Sequence, residues 1–568
     1  MSDSPLQEYP RPQLVRDGYL NLNGHWQYAI GPHAIGDGPP ETYDGEILVP
    51  FSPEAPLSGV NRQLLPGQTL WYRRSFDLPG DFTDGRVILH FGAVDQTCRV
   101  WVNGVEAGGH TGGYLPFSFD ITEHLRESGN VLVVAVRDDS DTGHGSRGKQ
   151  RLRRGGIWYT AQSGIWQTVW AERVPELHVE RLTLTPMLDD SCVEVTVHAP
   201  EGEAHVEISA GGEVVAHAAA PAGRPVRVPL PGARLWSPED PFLYDVAVSL
   251  GTDRVRSYFG MRSFSVGPDA DGVPRLLLNG RPYFHAGVLD QGYWPDGLYT
   301  PPSDEAMIHD IATMKRLGFT MLRKHIKIEP LRWYHHCDRL GMLVWQDMVN
   351  GGAAYRPWVI TTPAILPALR LDDRRHRRFG RADAAGRTAF EAELRATVEH
   401  LRNVVSLAVW VPFNEGWGQF DAARIAGELA RLDPTRTVDH ASGWHDQRAG
   451  DLRSLHVYFR RFRPPRPDGR VLVLSEYGGY GLRVEGRTWG EKEFGYRRYG
   501  TADRLGAAFA RLHEEQIIPA IRRGLSATVY TQLSDVEDEI NGLLTYDRAV
   551  LKLPEDLVRS ITERLRFQ

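Results

Sequence analysis

Cysteine is scarce: the 568-residue chain has three, Cys98, Cys192 and Cys337. An odd, widely spaced set is no disulfide framework, and no spacing among them fits a zinc site. Long apolar runs are missing as well. No stretch approaches the ~18 apolar residues of a membrane span, and the opening MSDSPLQEYPRPQ has no apolar core for a signal peptide. An excess of positive charge is also absent. The net charge is −7, which excludes a broad nucleic-acid surface, because that needs clustered cations. Short basic runs at 151–154, 372–378 and 460–466 are expected to be solvated loop charge. What remains is a soluble protein of a reducing cytoplasm, with no nucleic-acid or membrane partner.

Apolar residues make up 41% of the chain and charged residues 24%, the balance of a globular protein. Domains of ~100–200 residues imply about three. Residues 1–174 read as all-β, with short alternating strands such as RVILHF and GIWQTVWAE and turns such as Asn103-Gly104. Many short strands with such turns suggest a jelly roll. Residues 175–267 repeat the all-β pattern at the size of an immunoglobulin-like β-sandwich. From 268 to 568 strands alternate with helices. Ser303 before DEAMIHDIATMKR and Asp383 before AAGRTAFEAELRATVEHL are helix N-cap signals. Eight strand candidates with intervening helices fit a (β/α)8 TIM barrel. The stretch between strands five and six is too short for a normal helix, so that unit is expected to be degenerate.

Two strands carry the chemistry. VWVPFNEGWGQFD, residues 409–421, begins as a buried strand and turns polar at Asn414-Glu415. VLVLSEYGGYG, residues 471–481, does the same at Glu476. In a barrel of this kind the C-terminal strand ends form the site, so Glu415 on strand four and Glu476 on strand seven share one mouth. Glycosidic cleavage needs two such carboxylates: one protonates the leaving oxygen and the other attacks or activates water.

This arrangement resembles glycoside hydrolase family 2, which includes β-galactosidases, β-glucuronidases and β-mannosidases. The resemblance extends to residues 9–30, LWYRRSFDLP, VWVNGVEAGGHTGGYLPFSFDIT and SGIWQTVWAE of the jelly roll, to LWSPEDPFLYDV of the sandwich, and to LLNGRPYFHAGVLDQ and LGFTMLRKHIKIEP at the start of the barrel. It implies that Glu415 is the general acid/base and Glu476 the nucleophile of a double displacement with retention. It also implies that Asn414 bonds the sugar 2-hydroxyl. Arg323, at the end of strand two, is the expected cation that keeps Glu476 ionised. His325, Asp290, Asp347, Trp417, Trp444, His456, Tyr458 and Gln532 are the remaining candidates for the sugar pocket, with Tyr458 expected to orient the nucleophile.

The chain also departs from the family pattern. Strand eight reads VYTQLSD, with Tyr530 and Gln532 where many relatives carry a Trp under the sugar ring. No Asn-x-Lys signature of the kind β-glucuronidases use for the substrate carboxylate is evident. Residues 351–381 differ from the best-known members and are expected to shape the pocket rim. GHGSRGKQ, residues 143–150, nearly matches a phosphate-binding loop, but Gln150 stands where a Ser or Thr would hold magnesium and no helix follows; the family resemblance implies instead a jelly-roll loop that approaches the barrel mouth. His335, His336, Cys337 and Asp338 are adjacent on one helix and do not face one another, so no metal site is expected there. The acidic residues Asp535, Glu537, Asp538 and Glu539 are expected to be solvated rather than to bind a cation. No metal or cofactor is required.

The expected activity is an exo-acting retaining glycosidase on terminal non-reducing glycosides, β-galactosidase-like by default. A β-galactofuranosidase or α-L-arabinofuranosidase is the runner-up, because the altered floor suits a differently shaped ring. β-Glucuronidase comes third. A carbohydrate-binding protein without turnover is the non-enzyme alternative. It would have no need of both carboxylates. The expected partner is a small carbohydrate, and a homo-oligomer remains open.

Overall fold

A computed structural model describes residues 4–32, 34–80, 82 and 84–567. The eight expected barrel strands are all present: β1 (His285–Asp290), β2 (Met321–Lys324), β3 (Leu343–Asp347), β4 (Leu407–Val411), β5 (Thr437–Val438), β6 (Leu452–Val457), β7 (Val471–Gly478) and β8 (Leu525–Thr531). They pair in parallel in the order β5-β4-β3-β2-β1-β8-β7-β6. Asp451 links the two ends of this sheet. Its N–H donates to Val438 O at 2.9 Å, and its carboxylate accepts from the Val438 N–H at 2.8 Å.

The strands are apolar because both faces are covered. Leu289, Met321, Leu343, Val409, Val473 and Val529 fill the barrel interior. Their neighbours Val288, Leu322, Val344, Trp410 and Leu474 point outward into a second core shared with the helices, as the two-residue period of a strand requires. The hairpin Phe264–Pro268 and Pro274–Leu278 adds Phe264, Leu276 and Leu278 to the interior core and closes the lower end.

Helix α1 (Asp304–Arg316) is capped by Ser303, whose side chain accepts from the Ala306 N–H at 3.3 Å. Then follow α2 (Leu331–Leu340) and α3 (Ala384–Leu401), the latter capped by Asp383 through the Gly386 N–H at 2.6 Å. After these come α4 (Ala422–Leu432), α5 (Ala502–Leu512) and α6 (Glu555–Thr562). The link from β5 to β6 has no helix, as its length implied, and neither does the link from β6 to β7. No helix among the described residues is long and apolar enough to cross a membrane.

The N-terminal strands form a six-stranded and a four-stranded antiparallel sheet around Trp26, Leu89, Val100 and Val134. The segment after them packs a three-stranded sheet on a four-stranded one around Val195, Val206, Ile208 and Val248. Trp236 of this sandwich donates its indole N–H to Asp338 O at 2.7 Å, and Tyr258 donates its hydroxyl to Asp338 Oδ2 at 2.9 Å. Asp338 on α2 is therefore a docking point between sandwich and barrel. The three cysteines are buried and free.

Candidate active site

The chain leaves β4 through Pro412-Phe413 and turns sharply at Glu415, whose φ is +50°. That left-handed conformation costs a non-glycine residue of order 1 kcal/mol or more. Neighbouring bonds hold it in place. The Glu415 N–H donates to Ser442 O at 2.9 Å, and the Trp417 N–H donates to Asn414 O at 2.8 Å. Glu476 needs no such turn, because it lies within β7 itself.

Arg323 connects the inner side chains. Its Nη1 donates to Glu476 Oε1 at 3.0 Å and to Ser475 O at 3.0 Å, and its Nη2 donates to Asn414 Oδ1 at 2.8 Å. Nε and Nη2 form a fork on the two oxygens of Asp347 at 2.9 and 3.0 Å. Tyr458 donates its hydroxyl to Glu476 Oε2. His456 lies between the two glutamates, with Nδ1 2.7 Å from Glu415 Oε1 and Nε2 3.7 Å from Glu476 Oε1. Its Nε2 also meets Ser442 Oγ at 2.9 Å.

These contacts drive the two carboxyls apart. Burial alone would raise Glu476, but the neighbouring His456 imidazole, the Arg323 guanidinium and the Tyr458 hydroxyl outweigh it and hold the group down at about 2. Burial raises Glu415, and the charge of Glu476 pushes the same way, while the bond to His456 opposes both. One environment therefore favours an ionised carboxylate and the other a protonated acid. Oxygen and nitrogen atoms of Glu415, His456 and Glu476 lie within 4.8 Å of one another. A divalent cation would fit that spacing, but it would take up both carboxylates.

The other sequence candidates fall into distinct places. His325 Nδ1 meets Asp347 Oδ2 at 2.7 Å, and its ring lies 5.9 Å from that of Trp417. Trp417 also packs on Trp158 at 5.0 Å. Trp444 donates its indole N–H to Ile360 O at 3.0 Å and turns an edge to His456. Gln532 accepts from Gln291 Nε2 at 2.6 Å. Asp290 stands apart from the pair. It accepts from Lys324 Nζ at 2.7 Å, and Lys324 sits over the Trp333 ring of α2, on the outer face of β2. Asn414 Nδ2 and Trp417 Nε1 are buried with no hydrogen-bond partner among the described residues.

Residues 351–381 cover one side of the mouth. Tyr355, Val359, Ile360 and Phe379 pack with Trp417 and Ile326, and His445 Nε2 lies 2.9 Å from Val359 O. The acidic loop after β8 is not solvated, contrary to expectation: Asp535, Glu537, Asp538 and Glu539 are all buried. Lys552 Nζ binds Asp535 at 2.5 Å, Arg154 Nη1 binds Asp538 at 3.0 Å, and the Thr160 N–H donates to Glu537 at 2.9 Å. The reason is docking of the jelly roll, which brings Arg154, Tyr159 and Thr160 onto this loop. Arg154 is correspondingly part of an ion-pair cluster and not simply solvated charge.

Sequence patterns do not point to three further side chains at the mouth. Tyr496 stacks on Tyr458 with ring centres 3.8 Å apart, and the charges of Glu415, Glu539 and Glu476 all act on it. Trp158 comes from the jelly roll, as does Lys149, whose charge acts on Glu415 and His325. Tyr496 and Trp158 lie in loops, where no periodicity marks them. Lys149 lies in the glycine-rich stretch at 143–150.

Comparison with known proteins agrees with this architecture. The model for glycosyl hydrolases family 2, sugar binding domain, matches residues 59–169, and that for glycosyl hydrolases family 2 matches residues 177–262. A β-galactosidase of Klebsiella pneumoniae is 28% identical over 405 residues, covering 65% of this chain and 35% of that protein. One of Photobacterium profundum is 26% identical over 507 residues, covering 79% of this chain and 45% of that protein. The chain thus spans less than half the length of these curated relatives. Among solved structures, a β-glucuronidase of an uncultured Clostridium sp. superposes with a TM-score of 0.75 at 17% identity, covering 97% of this chain and 99% of that one. A β-galacturonidase from Eisenbergiella tayi bound to galacturonate gives 0.71 at 18%, covering 98% and 99%. At those identities the superpositions speak for the fold alone. The two matched models are both of glycoside hydrolase family 2 and cover residues 59–169 and 177–262, and over nearly its whole length the chain is similar in fold to the solved neighbours.

Proposed function

We propose that the protein is an exo-acting retaining glycosidase that hydrolyses terminal non-reducing glycosides. The observation that carries this reading is the pair Glu415 and Glu476, with carboxylate oxygens within 4.8 Å of one another and surroundings that shift the two groups in opposite directions. Retaining enzymes keep their carboxyl groups ~5–5.5 Å apart and inverting ones ~6.5–9.5 Å, so the spacing favours retention. In this reading Glu476 attacks the anomeric carbon while Glu415 protonates the leaving oxygen, giving a covalent glycosyl-enzyme. Glycosylation removes the charge of Glu476, the Glu415 carboxyl becomes a stronger acid, and it then takes the proton of the incoming water. Arg323 and Tyr458 aim and ionise the nucleophile. The free amide N–H of Asn414 is placed to meet a sugar hydroxyl. Residues 1–174 and 175–267 brace the barrel of residues 268–568, and the jelly roll narrows its mouth to a pocket.

The names of the curated relatives favour a galactoside-like sugar, and the solved neighbours named for uronides supply the second reading. A panel of 4-nitrophenyl pyranosides and furanosides, with wild type and Glu476→Ala side by side, tests both. Cleavage of one sugar by wild type, lowered at least ~10⁴-fold in the variant, is the expected result. Equal rates in the two proteins would overturn the assignment of Glu476.

A further inference from the structure

The glycine-rich stretch at 143–150 serves to dock a jelly-roll loop on the barrel. The N–H groups of Arg147 and Gly148 donate to Asn350 O at 2.9 and 3.2 Å, and the Gly352 N–H donates to His144 O at 3.0 Å. Gly148 has φ +61°, and a Cβ there would stand 2.8 Å from Tyr299 Oη and 3.0 Å from Ile326 O, just beyond the end of β2. Only glycine fits so close an approach. This docking carries the next residue, Lys149, into the mouth.

The Lys149 side chain is 6% exposed, and its nearest counter-charge is Glu539 Oε2 at 3.9 Å. The ammonium lies 5.1 Å from the centre of the Tyr159 ring and 5.8 Å from that of Trp417. It makes no hydrogen bond among the described residues, although an ammonium carries three donors. Its donors are therefore free to meet an acceptor of the substrate. Glu539 is held from the other side: Oε2 accepts from the Tyr159 hydroxyl, and Oε1 accepts from Asn541 Nδ2 at 2.9 Å. Each carboxylate oxygen keeps a further lone pair.

The geometry points to Lys149 and Glu539 as a glycone-reading pair that selects neutral sugars over uronides, one donating to a sugar hydroxyl oxygen and the other accepting a hydroxyl proton. This rests on the glycosidase reading above. The charge balance of the wall decides between sugar classes. Glu539 stands at this wall with Lys149 3.9 Å away, while Glu537 and Asp538 of the same loop are engaged by Arg154. A uronate drawn to Lys149 would also meet the Glu539 carboxylate, whereas a neutral diol finds one donor and one acceptor without repulsion.

The test uses 4-nitrophenyl galactoside, arabinofuranoside, galactofuranoside, glucuronide and galacturonide with wild type, Lys149→Met, Lys149→Arg and Glu539→Gln, each checked by thermal melting. Wild type is expected to prefer a neutral glycoside by at least about 100-fold. Lys149→Met should lose about 10- to 100-fold in kcat/KM on it, with Lys149→Arg between the two. Glu539→Gln should narrow the neutral-to-uronide ratio. A preference of wild type for a uronide, or a folded Lys149→Met within threefold of wild type, would overturn the inference. If folded wild type cleaves nothing, the glycosidase reading has failed separately. Saturation-transfer NMR with galactose, arabinose and glucuronate then decides for Lys149: neutral-sugar binding lost in Lys149→Met supports the pair, and equal binding refutes it.

Discussion

The two walls of the barrel mouth are built on different terms. The inner wall consists of Arg323, Asp347, Asn414, Glu415, His456 and Glu476, all at or just beyond strand ends of one sheet. Nearly every charge on it is paired within 3.0 Å, as Arg323 is with Glu476 and Asp347. The outer wall is assembled from Lys149, Trp158 and Tyr159 of the jelly roll and from Tyr496 and Glu539 of barrel loops. There Lys149 meets no counter-charge closer than 3.9 Å among the described residues. A wall whose charges satisfy one another is organised for chemistry before any substrate arrives. A wall that leaves donors unused is organised for contact with the substrate. The difference separates residues that should govern kcat from residues that should govern recognition.

The largest expected effect on this comparison comes from Glu415. In the proposed mechanism Glu476, held down at about 2, would set the acid limb of the pH profile. Glu415 is raised by burial and by the charge of Glu476, and in the proposed mechanism it carries the proton of the first step. Its contribution is therefore full below its pKa and lost as pH rises through it. Glu415→Gln should lower kcat by ~10²–10⁴-fold for glycosides with poor leaving groups. With a dinitrophenyl leaving group the basic limb of the first step should disappear. A basic limb that survives unchanged would remove Glu415 from the role of acid.

Arg323→Met breaks the inner wall by leaving Glu476 and Asp347 buried without their cation. A loss of about 3–5 kcal/mol is expected, read as a fall in melting temperature and in denaturant midpoint. Gly148→Ala acts on the outer wall alone. Forcing a Cβ at φ +61° against Tyr299 and Ile326 should cost about 1–2 kcal/mol. It should raise KM by withdrawing Lys149 while leaving kcat nearly unchanged. Tyr496→Ala is the mildest. Loss of the 3.8 Å stack on Tyr458 is worth about 0.5–1.5 kcal/mol, and because Tyr458 bonds Glu476 it should appear in kcat as well as in KM. If Gly148→Ala changed kcat more than KM, the division between walls would not hold.

The same division explains what could be read from the sequence. The eight strands, the caps Ser303 and Asp383 and the two glutamates follow local signals: apolar runs that end in polar residues, N-cap chemistry and a repeated strand-end motif. The inner wall inherits this legibility because strand alternation fixes which residues share a face. Asp290 shows the limit of the rule. It ends β1 as Asp347 ends β3, yet it pairs with Lys324 behind the sheet, because one residue of register turns a side chain to the other face. The outer wall depends on docking between segments distant in sequence. Nothing local to Glu539 announces that Tyr159 will bury it, and nothing near Tyr496 announces the stack on Tyr458. The spacing of the glycines at 143–150 comes close to that of a phosphate-binding loop; the family resemblance implies an approach to the barrel mouth, and the contacts with Asn350 and Ile326 show how it is made.

The central claim is that Glu476 forms the covalent intermediate. The most direct measurement is the mass of the intact protein after incubation with a 2-deoxy-2-fluoro dinitrophenyl glycoside of the sugar that the panel identifies, followed by peptide mapping. The account predicts one added glycosyl group in wild type, located on the peptide containing Glu476, and none in Glu476→Ala. A label on another residue, or equal labelling of both proteins, would contradict it.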